Sequence, residues 1–204
     1  GSQTYVGYDF MLVALAVAAA MIAGFTGPAR ATLFLQLSSG GQTVTIEDGG
    51  VGDMNASVGA VTFMGSVGGF AMNISTGTSK PILGDSTYGA LSLGSMDFSG
   101  PAAGEITIRL TDTSYTQQNI ASGAFSAAGV TDGAVTTKAY IDFDNQAFGQ
   151  SQEISDLGRF VDAPAAGSSS FSATEMAELI GSNAAEYSLT IVTTISHARA
   201  NQMS

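Results

Sequence analysis

Asp142-Phe143-Asp144-Asn145 is the best metal candidate in the sequence. Counted from Asp142, Asp144 falls at position 3, Gln146 at 5 and Glu153 at 12, the spacing at which an EF-hand-like loop wraps a calcium ion. Position 6 is Ala147 where that loop turns on Gly, and the flanks read as strand. Solvated acids at a strand end therefore fit the same residues. A second acidic stretch, Asp48-Gly49-Gly50-Val51-Gly52-Asp53, approximates the GGxGxD calcium nonapeptide. Its Asp53 comes one residue early, and a single copy cannot stack into a parallel β-helix, so an acidic Gly-rich turn is the plainer reading. If the two loops met, Asp48, Asp53, Asp142, Asp144 and Glu153 could share one hard cation. Apart from that calcium ion, we expect no cofactor.

Nucleophilic chemistry has fewer parts to work with. Gly84-Asp85-Ser86 opens like a GDS-type hydrolase motif, in which Ser86 would need a histidine oriented by a carboxylate. The sole histidine is His197, Thr194 rather than Asp stands three residues before it, and no G-x-S-x-G elbow occurs. His197 reads as a surface residue at a strand end. One His and no Cys are too few for catalytic zinc. Paired carboxylates for glycoside hydrolysis lack a distinctive context. Trp is absent, which leaves Tyr88, Tyr115 and Tyr140 as the side chains on which a sugar could stack, or as ordinary packing residues. Asn55-Ala56-Ser57 and Asn73-Ile74-Ser75 match glycosylation sequons, which matter only in eukaryotic secretion. The expectation is a protein without a catalytic centre.

Composition narrows the partners. A net charge of −11 with six Lys and Arg cannot make the basic patch that nucleic acid or anionic lipid headgroups require. Charged residues are 11% of the chain against about 25% in ordinary domains, so Ser, Thr, Asn, Gln and Gly must cover the surface. Without Cys, disulfides are not what holds the domain together.

The elements that must position these groups are strands. Glu186–His197 is dense in β-branched residues and alternates Tyr187, Leu189, Ile191, Thr193 and Ile195 with Ser188, Thr190, Val192, Thr194 and Ser196. Thr32–Leu37 and Gln42–Glu47 read as a hairpin, Ala60–Gly65 and Gly69–Ser75 as another. Lys80-Pro81 begins a loop that runs to Gly89. Ala90–Ser99, Glu105–Asp112 and Gly133–Phe143 add strand character, while Ile120–Val130 is Ala/Gly-rich and poorly defined. Ser172–Glu175 has capping-box spacing, with Met176, Leu179 and Ile180 on one face and Gly181 to close, which predicts one short helix. The expected fold is all-β, an antiparallel, jelly-roll-like β-sandwich over residues 32–204.

Residues 1–31 form a hydrophobic leader. Phe10–Phe25 is an unbroken apolar run of sixteen residues, followed by Thr26-Gly27-Pro28 and an A-x-A site at Ala29-Arg30-Ala31. That is the plan of a secretory signal peptide, although Gly1–Asp9 lacks the basic residues such a leader begins with. A buried core helix and a retained membrane or filament-core helix are the alternatives. Cleavage after Ala31 would give a mature protein starting near Thr32.

The leader, TLFLQLSSGGQTVTIEDGGVGDMN, GSVGGFAMNISTGTSKP, IRLTDTSYT and SLTIVTTISHARANQ together resemble the PEP-CTERM-type exported surface proteins of exopolysaccharide-producing bacteria. The likeness spans most of residues 10–204 and lies in phrase order rather than in a catalytic motif. The Val-Pro-Glu-Pro tag of that family does not occur in this sequence. The resemblance implies a Gram-negative protein exported by the general secretory route and associated with the cell surface or extracellular matrix. The expected role is structural, with extracellular polysaccharide or further copies of the chain as partner, and with the membrane met only through an uncleaved leader. A filament subunit is the first alternative, built by strand addition at an open edge along Glu186–His197 or through the N-terminal apolar run. A glycan-binding module is the second.

Overall fold

Leu33, Leu35 and Leu37 are buried to within 2% while Phe34, Gln36 and Ser38 between them stay half exposed, so the first strand already divides a core from a polar face. The computed structural model describes residues 32–100, 103–116, 122–161, 169–178, 185–199 and 202–204. The strands are β1 Leu33–Ser39, β2 Gln42–Glu47, β3 Ala60–Val67, β4 Phe70–Thr78, β5 Ser92–Gly100 and β6 Gly104–Tyr115. They continue as β7 Ser122–Thr131, β8 Ala134–Asp142, β9 Gln152–Val161, β10 Ser169–Glu178, β11 Tyr187–His197 and β12 Gln202–Met203. Every pairing is antiparallel.

Three sheets result, ordered β2-β1-β6-β11-β8-β9, β12-β5-β4-β3 and β10-β7. The antiparallel sheets form a curled half-barrel. Irregular register at Tyr187/Leu189 and along β8–β9 supplies local bend, since a bulge sharpens the twist of the strand that carries it. One core cluster joins Leu35, Leu37, Ile106, Ile108, Leu110 and Ile195 of the six-stranded sheet to Val61, Phe63, Phe70 and Met72 of the four-stranded one. The two sheets therefore pack face to face. Full burial of each such Leu or Ile contributes roughly 1.5–3 kcal/mol, which is the source of cohesion in a chain without disulfides. The β1–β2 hairpin turns on Gly40 and Gly41, whose φ of 56° and 78° suit the tight turn that joins twisted strands.

The strands read from alternation are present, with ends that differ by a few residues. The predicted helix at Ser172–Gly181 is not: Ser172–Glu178 lies within β10, which pairs with β7 in unbroken register from Ser169↔Thr131 to Glu178↔Ser122. Phe171, Ala173 and Ala177 are half-buried on one side, and Phe171 stacks on Phe160 at 4.4 Å. Met176, assigned to the helix core, is 75% exposed. Glu175 accepts from the Ser155 hydroxyl at 2.6 Å rather than reaching back to cap Ser172. A period of two thus prevails over cap spacing because β7 offers a complete ladder. Leu179, Ile180 and Gly181 lie outside the described residues, as do the N-terminal leader and its predicted helix. The described part of the ill-defined Ile120–Val130 stretch, from Ser122 on, lies in β7, its Ala and Gly alternating in and out. The expected open edge on β11 is corrected too: the strand lies between β6 and β8, its ladder satisfied on both sides.

Candidate functional site

The acidic loops gather at one end of the six-stranded sheet, where their carboxylates fasten backbone. Asp53 Oδ2 accepts the Gly49 N–H and Oδ1 accepts those of Asn55 and Thr62, each at 2.9 Å. The Gly59 N–H donates to Asp48 Oδ2 at 2.6 Å, tying the β2–β3 loop to the start of β3. Asp142 is buried and takes the Gln146 and Asp144 amides at 3.1 and 3.3 Å, closing its own loop. Glu153, which should have completed the cation shell, instead faces Lys138 at 3.1 Å. Asp156 joins the same ammonium at 2.6 Å, and the two carboxylates hold Lys138 above the usual lysine range. No group of three or more metal-ligating side chains converges among the described residues. Because Asp53 holds three amides through charge-assisted bonds, Asp53→Ala is expected to cost about 2–3 kcal/mol in urea denaturation. A loss below about 0.5 kcal/mol would show that water replaces the carboxylate freely.

Ser86 and His197 do not meet. The Thr116 N–H donates to Ser86 O at 2.6 Å, just past the end of β6, while His197 pairs with Gly104 at its start. At about 3.4 Å per residue the length of β6 separates them by roughly 35 Å. Asp85 ties its own turn, accepting from the Thr87 amide and hydroxyl at 2.7 Å and the Tyr88 amide at 2.9 Å. These bonds hold its carboxyl below the usual range.

His197 is buried, not a surface strand end as the sequence suggests, because Phe70 of the facing sheet and Ser204 lie against it. Its ring lies against Phe70 at 5.2 Å, Nε2 meets Ser204 Oγ at 3.2 Å, and Nδ1 has no hydrogen-bond partner among the described residues. Burial lowers its pKa, opposed by Asp132. The fold therefore favours neutral imidazole. The resulting stability is complete above the unfolded pKa near 6.5 and is lost as pH falls through that value towards the lower folded one. The melting temperature is expected to drop on acidification below about pH 6.5, and His197→Phe should flatten that limb. An unchanged slope in the variant would remove His197 from the account.

The tyrosines divide. Tyr88 is 66% exposed, Tyr140 half-buried, and Tyr115 is wholly buried and stacked on Tyr187 at 5.3 Å. Burial pushes the Tyr187 phenol up to about 12, with a Gly89 backbone hydrogen bond opposing, and raises Tyr115 further, helped by the neighbouring Asp112 charge. Tyr115 is thus packing rather than a sugar platform.

Sequence reasoning misses the most concentrated chemistry. Lys80 Nζ donates to Asp112 Oδ2 at 2.9 Å and to Thr113 O at 2.5 Å, and it sits 3.6 Å from the Tyr115 ring centroid. Ser79 Oγ donates to Asp112 Oδ2 at 2.5 Å and lies the same distance from the Tyr115 hydroxyl, which donates to Ala90 O at 2.9 Å. The ion-paired side chains are only 8% and 2% exposed. A signal existed: Ile106, Ile108 and Leu110 point inward, so Asp112 in the same phase had to find a buried partner.

The outer face of the large sheet carries a polar lattice. Gln36 bonds Thr45 and receives Arg109, Ser38 meets Thr43, Thr107 meets Thr194, and Ser196 donates to Glu105, all between 2.9 and 3.3 Å. Comparison with protein-family models, curated proteins and solved structures found no match.

Proposed function

We propose that this chain is an exported, non-enzymatic structural protein of the Gram-negative cell surface or extracellular matrix, with extracellular polysaccharide as its partner. The observation that carries the reading is the hydroxyl and amide lattice on the outer face of the six-stranded sheet. It runs from β2 across β1 and β6 to β11. Donors and acceptors that are mostly neutral, on a broad sheet, suit a polyhydroxylated polymer, and the net negative charge does not repel one that is uncharged. The carboxylates at the sheet end are engaged in holding loops, which agrees with a scaffold rather than a reactive centre. We read the architecture as a jelly-roll-like sandwich, since the chain passes between the two larger sheets after β2, β5 and β11. A filament made by strand addition would use an outer strand, β2 or β3, rather than β11.

The test is expression with the leader in a Gram-negative host. The protein should appear outside the cytoplasm, begin near Thr32 and co-sediment with exopolysaccharide, and Gln36→Ala with Thr107→Val should weaken that co-sedimentation. Retention in the cytoplasm would overturn the location. Turnover of a substrate that disappears in Ser86→Ala or His197→Gln would overturn the absence of catalysis. Ordered fibres in the supernatant would favour the filament.

A further inference from the structure

We propose that Lys80 and Asp112 are the two halves of an intramolecular amide cross-link, formed by condensation of the lysine amine with the aspartate carboxyl. The two side chains leave strands and turns far apart in sequence, thirty-two residues, yet Nζ rests 2.9 Å from Oδ2. Oδ2 is bonded directly to Cγ, so Nζ is held beside the carboxyl group it would attack, in the manner of a positioned nucleophile. Both side chains are almost fully withdrawn from water. The Tyr115 ring covers the ammonium from one side, and the Ser79 hydroxyl covers the carboxylate.

The neighbouring groups suit the steps. One proton passes from the Lys80 ammonium to Asp112 Oδ2 along their contact, leaving a neutral amine and a carboxylic acid. Burial already pulls the Lys80 pKa down against the opposing pull of Asp112, which favours that transfer. The nitrogen lone pair then attacks Cγ and forms the N–C bond. Negative charge develops on Oδ1, which accepts the Thr113 N–H at 2.8 Å, a donor already in place for an oxyanion. Oδ2 is the leaving oxygen. Ser79 Oγ, 2.5 Å from Oδ2, can donate to it while taking up a nitrogen proton, and the C–Oδ2 bond breaks to release water. Ammonium plus carboxylate give amide plus water, with no oxidant and no external reagent. The product keeps the contact but removes two charges from a site that solvates neither well.

The experiment is intact mass spectrometry of the purified full chain, denatured and with its N-terminus determined, followed by peptide mapping. The expected mass is one water below that of the sequence. The map should contain a branched peptide joining the Lys80 segment to the Asp112 segment. Lys80→Arg should restore the missing water, because the guanidinium does not form this bond. A wild-type mass equal to that of the sequence overturns the proposal. So does a dehydration that persists in Lys80→Arg, which would mark a cyclised aspartate instead.

Discussion

Asp112→Ala is expected to destabilise the protein by about 3–5 kcal/mol, the usual cost of removing one member of a buried ion pair. The substitution strands the Lys80 ammonium, 8% exposed, beside the Thr113 carbonyl and the Tyr115 face. It also takes away an acceptor of the Ser79 hydroxyl. The paired change Lys80→Met with Asp112→Leu should recover the part of the loss that comes from the stranded ammonium, since no charge then remains to be solvated. If the two side chains are covalently joined the sign is the same, because the substitution also unties a loop of thirty-two residues. Urea denaturation of the single and paired variants checks this. A single-variant loss below about 1 kcal/mol would mean that water reaches Lys80 as readily as it reaches a surface pair.

Gly59→Ala is the other substitution with a large expected cost, about 2–4 kcal/mol. Gly59 has φ of +86°, and a β-carbon there would come within 2.6 Å of the Lys80 carbonyl oxygen and 2.9 Å of the Pro81 ring. Neither neighbour can move cheaply. The Gly59 carbonyl accepts the Ser79 amide at 2.9 Å, and its own N–H is held by Asp48. The residue therefore joins the β2–β3 loop to the turn that delivers Ser79 and Lys80. Thermal melting should show the loss, and the variant should also raise amide exchange at Ser79. A melting temperature within a degree or two of wild type would show that the turn yields instead.

Much of the sheet was legible because the chain alternates strictly where one face is buried. Leu33, Leu35 and Leu37, or Ile106, Ile108 and Leu110, admit one reading only. β7 and β10 were harder for a physical reason. Their sheet has two members, so neither strand acquires the broad apolar face that makes a pattern visible. Ser172 and Glu175 then imitated a helix start. β9 was hidden by Gly158 and by the charges Glu153, Asp156 and Arg159 on its open side.

The candidate chemistry was legible as residue types but not as roles. Asp48, Asp53 and Asp142 are where an acidic turn should be, yet whether a carboxylate faces a cation or its own backbone depends on loop geometry that spacing alone does not fix. Lys80 and Asp112 escaped because each was read inside its own segment, one as the start of a loop and one as the end of a strand. His197 was misplaced since the cover over it comes from Phe70 and Ser204, outside the strand that carries it.

The position of β11 bears on how the protein is made. It leaves the ribosome after both its neighbours, and it must slot between two partners synthesised some sixty to ninety residues earlier, as the pairings Val135↔Ile195 and Ile106↔Ile195 require. Until it arrives, β6 and β8 have no seam to close, and the six-stranded sheet has no middle. Long-range pairing of this kind is slow to nucleate. The large sheet of a nascent chain therefore stays loose until β11 emerges, and its consolidation is deferred to that moment.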